Sequence, residues 1–190
     1  SGGSDVNGNG SAGNPWKTLY KATSTVTYAG DIIHVMPGSY IENVKSSLAI
    51  GVSIEGEGVQ SIIISNIKLE YGSLIQAVSP EGTSGNQHIS NIKIDGNKRT
   101  GSWGIEIRGR SNVAIYNCTI VDFDDTGIFW GGRNDNLGEA PKVYATGNSF
   151  YNNNVSNCAK YDGFGRGCLS IGGQEGMLIY SNSITQAGRS

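Results

Sequence analysis

The side chains best able to do chemistry in this 190-residue chain are carboxylates and cations gathered into a few short stretches. Asp122-Phe123-Asp124-Asp125 places three acids just before an apolar run at Ile128. Paired carboxylates could act as acid and base in glycoside hydrolysis, with Asp125 as the catalytic candidate, or Asp122 and Asp124 could hold Ca2+ through hard oxygen ligands. Asp also suits turns for its own sake, and that reading stands beside the chemical one. In Ile105-Glu106-Ile107-Arg108-Gly109 the acid and the cation are two apart, so a strand would present Glu106, a catalytic candidate, and Arg108, a binding candidate, on one face.

Two long insertions, residues 133–142 and 152–167, carry Arg133, Asp135, Glu139, Lys160, Tyr161, Asp162 and Arg166. β-Elimination at a uronic acid needs a base and a group to neutralise the sugar carboxylate, which makes Lys160 and Arg166 catalytic candidates and Arg133 and Tyr161 substrate-binding ones. An ordinary solvated loop would hold the same residues. Phe129, Trp130 and Trp103 offer rigid apolar faces for a sugar ring, or the same rings fill a core. Asp5-Val6-Asn7-Gly8-Asn9-Gly10 imitates the first half of a calcium loop, but Trp16 stands where that loop needs Glu, so a turn is expected there. His34 and His88 are single and far apart, without zinc spacing.

The elements that must position these groups show themselves as a repeat. I-S-N-I-K-L at 64–69 recurs as I-S-N-I-K-I at 89–94, and looser copies end at Ile120, Phe150 and Ile184. A second family of strands lies between them, at Ile33, Val52-Ser53-Ile54, Ile75, Ile105, Ile128 and Leu169-Ser170-Ile171. Alternation buries one side chain and exposes the next, and recurrence at the length of one turn of a solenoid predicts about six stacked coils. In this register the outward columns are His34, Ser53, Gln76, Glu106, Phe129 and Ser170, and beside them Met36, Glu55, Val78, Arg108, Gly131 and Gly172. Asn91, Asn117, Asn148 and Asn182 recur near corners and could form a side-chain ladder. A β-sandwich also alternates, but its strands recur at shorter intervals and are joined by hairpins.

Composition agrees with many short strands: 29 glycines, 37% hydrophobic residues and only 16% charged ones. The net charge is −2 with its 14 cations dispersed, so a phosphate-binding surface for nucleic acid is not expected. No run of 18 apolar residues predicts a membrane span. Of the three cysteines, Cys158 and Cys168 are near enough in sequence for a local bridge, while Cys118 reads as a small buried apolar residue.

Residues 4–44 carry Asp5, then N-G-N-G-S-A-G-N-P-W-K-T-L-Y-K-A, then A-G-D-I-I-H-V-M-P-G-S-Y-I-E-N-V. This stretch resembles the opening of proteins of the pectate-lyase-like superfamily. The resemblance implies an all-β, right-handed parallel β-helix: a single domain over 1–190, with an N-terminal loop and capping helix in 1–30 (the helix at residues 16–22) and coils over 31–190. The absence of a matching cap after Ile184 gives the expectation of a C-terminally truncated piece. The resemblance further implies a secreted or cell-surface, bacterial protein that cleaves an anionic polysaccharide in a groove along the coils, with lyase chemistry ahead of hydrolysis. The rival expectation is a non-catalytic adhesin, surface-structure component or carbohydrate-binding module.

Overall fold

The structure is a computed structural model that describes residues 2–67, 72–98, 102–132, 139–159 and 167–186. Among these residues every pairing between strands is parallel. Long extended runs, Ser53–Ser65, Gly72–Asp95 and Ser102–Tyr116, bend around corners and contribute to more than one ladder. The result is a parallel β-helix. None of the described helices is long and apolar enough to cross a membrane.

Three ladders carry the coil. Ladder A stacks residues 32–35, 53–56, 88–90, 114–116, 149–151 and 178–180. Ladder B stacks 38–42, 61–65, 93–95, 119–121, 154–156 and 183–185. Ladder C stacks 46–47, 75–78, 105–108, 128–131 and 169–171. Six rungs in A and in B match the expected six coils. The inward positions form columns of buried β-branched and aromatic side chains: Ile33, Ile54, Ile89, Ile115 and Phe150 in A, Ile63, Ile94, Ile120 and Val155 in B, and Ile75, Ile105 and Ile128 in C. Each such residue contributes ~1.5–3 kcal/mol on full burial.

The ladders correct the register read from the sequence. Ile89 stacks on Ile54 and Ile94 on Ile63, so the I-S-N-I-K copies at 64 and 89 are not equivalent. Phe150 stacks on Ile115 in ladder A and not on Ile120. Ile33 and Ile54 belong to ladder A and Ile75, Ile105 and Ile128 to ladder C, so His34, Ser53, Met36 and Glu55 leave the columns assigned to them. The cause is geometric: successive strands of one coil share the same alternation, and only the pairing tells them apart. On the outer face of ladder A, Tyr116, Tyr151 and Tyr180 stack with ring centroids 5.0 and 4.9 Å apart and nearly parallel planes.

The corner between ladders A and B is made by Asn91, Asn117, Asn152 and Ser181, all in the left-handed region with φ of 54–56°. Asn tolerates that conformation better than other side-chain-bearing residues. The following residue points inward, giving Ile92 and Cys118 in upper coils and Asn153 and Asn182 below. Cys118 is buried, which pushes its thiol up to about 12. Asn153 is buried and fully employed: its Oδ1 accepts from the Cys118 amide at 2.9 Å and its Nδ2 donates to the Ile115 carbonyl at 3.0 Å. Asn182 Oδ1 accepts in turn from the Asn153 amide at 2.9 Å. Asn148 does the same work elsewhere, taking the Val113 amide and donating to the Arg110 carbonyl. The expected asparagine ladder thus divides into left-handed corners and buried amide brackets.

The cap helix runs Leu19–Thr25, three residues later than expected, because Thr18 and not Asn14 is its N-cap. Its hydroxyl accepts from the Lys21 amide at 3.1 Å. Asp5 accepts from the Lys17 and Thr18 amides, so the calcium-loop-like segment serves as a bracket for the helix start. Glu42, fully buried on ladder B, accepts from the Leu19 amide at 2.7 Å and the Tyr20 amide at 3.1 Å. It thereby satisfies two of the helix's orphan donors and seats Leu19 and Ala22 on the first coil.

Burial raises the Glu42 carboxyl above its ordinary 4.5, and the two amide bonds only partly oppose this. The folded chain therefore binds more protons than the unfolded chain just above pH 4.5, and stability falls as pH rises through the raised pKa. The melting temperature should drop over that interval, and Glu42→Gln should remove the slope. Thermal unfolding from acid to neutral pH checks this; an unchanged slope in the variant would assign it to other groups.

Candidate functional site

The outer face of ladder C collects the polar and aromatic groups. Its first outward column reads Ser47, Gln76, Glu106, Phe129 and Ser170, and its second includes Val78, Arg108 and Gly131. Both columns follow from strict alternation around the inward Ile105, Ile107, Ile128 and Trp130.

Around Arg108 these side chains form one network. Its guanidinium is ion-paired with Glu106 and lies 5.2 Å from the Phe129 ring and 5.8 Å from the Trp103 ring. Trp103 and Phe129 stack at 5.3 Å. Glu106 also accepts from the Ser73 hydroxyl at 2.8 Å, and Asp125 accepts from the Trp103 indole N–H at 2.5 Å. Glu106 and Asp125 are 6% and 4% exposed, so two carboxylates with firm hydrogen-bond partners are held out of water on one side of the coil. Buried carboxylates persist only with such partners, and here the partners also fix their direction.

Beside Phe129 the face opens into a cleft of about 370 Å3 lined by Phe129, Glu139, Pro141, Tyr144, Ser170 and the glycines of two coils. The glycines are needed where the coils meet: a Cβ on Gly132 would lie 2.4 Å from the Gly173 carbonyl oxygen. One wall is therefore bare backbone, and the others carry two rings, Phe129 half-buried and Tyr144 exposed. A concave site with aromatic walls and a few polar groups is suited to a sugar, whose ring faces are apolar and whose hydroxyls seek hydrogen bonds.

The structure brings together Glu106, Arg108, Asp125 and Phe129 from the sequence candidates. Trp130 is withdrawn from the binding role: it is fully buried in the core, because its position alternates with the outward Phe129 and Gly131. Asp122 lies at a left-handed corner, with φ of 61°, where the Asn157 amide donates to its carboxylate. Asp124 is half-buried on the same corner. Among the described residues no three acidic, histidine or cysteine side chains converge as a metal requires. Lys160, Tyr161, Arg166 and Arg133 lie outside the described residues. Sequence reasoning missed Ser73 and Tyr144 altogether and gave Trp103 no partner. The 22-residue interval from Trp103 to Asp125, close to one coil, was the available signal for that pair.

No family model matches the chain, and no curated protein sequence matches it. Among solved structures, a protein of Geobacillus virus E2 (ORF18) superposes with a TM-score of 0.54 at 12% identity, covering 86% of this chain and 37% of that one. The catalytic unit of a thermostable GH87 α-1,3-glucanase from Streptomyces thermodiastaticus aligns with a TM-score of 0.41 at 16% identity, covering 90% of this chain and 38% of that one. This chain thus spans less than two fifths of either structure, and the likeness to the viral protein speaks to fold alone.

Removing Arg108 would strand Glu106 as a buried charge without its counter-ion, a loss on the order of 3 kcal/mol. Arg108→Met should therefore lower the denaturation midpoint strongly. Glu106→Gln combined with Arg108→Met should be less destabilised than the sum of the single variants. Additive effects in urea unfolding would show that the pair is not coupled.

Proposed function

We propose that this protein is a secreted or surface-located carbohydrate-active protein that holds a polysaccharide along the outer face of ladder C and cleaves it. The observation that carries the reading is the network around Arg108, in which two buried carboxylates, Glu106 and Asp125, are held by fixed partners beside Phe129, a ring that also walls the cleft. Glycoside hydrolysis uses two carboxylates, one to protonate the leaving oxygen and one to act as base or nucleophile. Asp125, fixed by the Trp103 indole N–H, and Glu106, fixed by Arg108 and the Ser73 hydroxyl, are the two carboxylates assigned to these roles. Phe129 and Tyr144 would stack on sugar rings in the cleft.

Charge favours an uncharged chain. The described residues of this face and cleft hold three carboxylates, Glu106, Asp125 and Glu139, and one cation, Arg108, which is already paired. A uronate would meet repulsion there, whereas a neutral glycan would not. Elimination remains the reading that Lys160 and Arg166 would support.

Incubation with neutral glucans and with uronans, followed by reducing-end release and by ultraviolet absorbance of unsaturated product, separates the cases. Hydrolysis of a neutral chain is expected. Glu106→Gln and Asp125→Asn should each lower kcat by roughly 10²–10⁴-fold, and Phe129→Ala and Tyr144→Ala should weaken binding by about tenfold. Unsaturated product from a uronan would replace hydrolysis by elimination, and binding without any turnover would make the protein a carbohydrate-binding module.

A further inference from the structure

Cys158 and Cys168 lie outside the network around Arg108, and their surroundings are unusual. Cys158 ends the strand Asn154–Cys158 of ladder B, and Cys168 immediately precedes the strand Leu169–Ile171 of ladder C. Both are buried free thiols. The two are in contact: Cys168 Sγ is 3.5 Å from the Cys158 carbonyl oxygen, and the side chains hydrogen-bond to each other. Asn157 and Ala159, on either side of Cys158, both have positive φ, 56° and 58°, and alanine gains nothing from that conformation by itself. Gly127 completes the packing, since a Cβ there would lie 3.1 Å from Cys158 Sγ and 3.0 Å from the Cys168 carbonyl oxygen.

We propose that Cys158 and Cys168 form a reversible disulfide that staples ladder B to ladder C across the corner of the fifth coil. The contact supplies an attacking and a resolving thiol in one place. Hydrogen bonding from Cys158 lowers the Cys168 pKa, and the same bond together with burial raises that of Cys158. Cys168 is therefore the attacking thiolate. With a small-molecule disulfide as oxidant, the Cys168 thiolate attacks one oxidant sulfur, forming a mixed disulfide and releasing one thiolate, which takes up a proton. The Cys158 thiol then loses its proton and attacks Cys168 Sγ, expelling the second oxidant thiol. Two electrons pass to the oxidant, which leaves as two thiols, and the protein loses two hydrogens. Cys118 takes no part: it lies in the A–B corner, its thiol pushed up to about 12 by burial.

The staple joins two residues close in sequence and removes freedom from the unfolded chain. The test equilibrates the full chain with oxidised and reduced glutathione mixtures, followed by peptide mapping without reduction and by thermal unfolding. The expected result is a Cys158–Cys168 linked peptide, loss of two titratable thiols while Cys118 stays reduced, and a melting temperature higher by roughly 5–10 °C in the oxidised protein. Cys118→Ser should leave all of this unchanged, whereas Cys168→Ser should abolish the linked peptide and the shift together. Three titratable thiols after oxidation, a glutathione adduct that persists on Cys168, or a disulfide joining two chains would each overturn the proposal. The measurement on the unaltered chain decides the matter even if a serine variant fails to fold.

Discussion

Everything on the outer face of ladder C depends on coils staying in register, and register is held at the A–B corner. There the chain turns in a left-handed conformation at Asn91, Asn117, Asn152 and Ser181, and the next residue drops into the core. A slip of one residue at that corner would send Glu106, Phe129 and Ser170 inward and Ile105 and Ile128 outward. The amides of buried Asn153 and half-buried Asn182 oppose such a slip, because each brackets backbone groups of a neighbouring coil that would otherwise lack partners. Apolar columns supply the drive to stack, and the corner polar groups select one stacking among several that would bury equal area.

Sequence alternation was enough to read a solenoid, its coil count and the outward column Gln76, Glu106, Phe129 and Ser170. It did not distinguish ladder A from ladder C. Ile33-His34-Val35 and Ile75-Gln76-Ala77 obey the same local rule, and only hydrogen-bond pairing between coils separates them. Arg110 shows why long-range polar structure was hidden. Its guanidinium is buried and donates to the Leu48 and Ala49 carbonyls, some sixty residues away, and burial lowers its pKa to about 10. Nothing in the spacing of Leu48 and Arg110 announces that bond, since variable insertions break the period between them.

The network around Arg108 shows the same division. Glu106 and Arg108 were legible because they are two apart on one strand. The Trp103–Asp125 bond was not, because its partners sit on different coils and at a corner where strict alternation ends. Trp130 failed as a surface residue for the opposite reason: it lies inside a strand where alternation holds, so its inward direction follows from that of Ile128. Aromatic residues on such a scaffold divide between packing and recognition by parity, and residue type does not tell the two apart.

The stacked rings of Tyr116, Tyr151 and Tyr180 have a further consequence. Near-parallel phenols about 5 Å apart along the solenoid axis form a coupled chromophore array, with one member on each of the last three rungs of ladder A. Both faces of the middle ring, Tyr151, are covered by its two neighbours. The optical signature of the array depends on the spacing of the coils themselves. The stack thus carries an intrinsic gauge of the pitch between these coils.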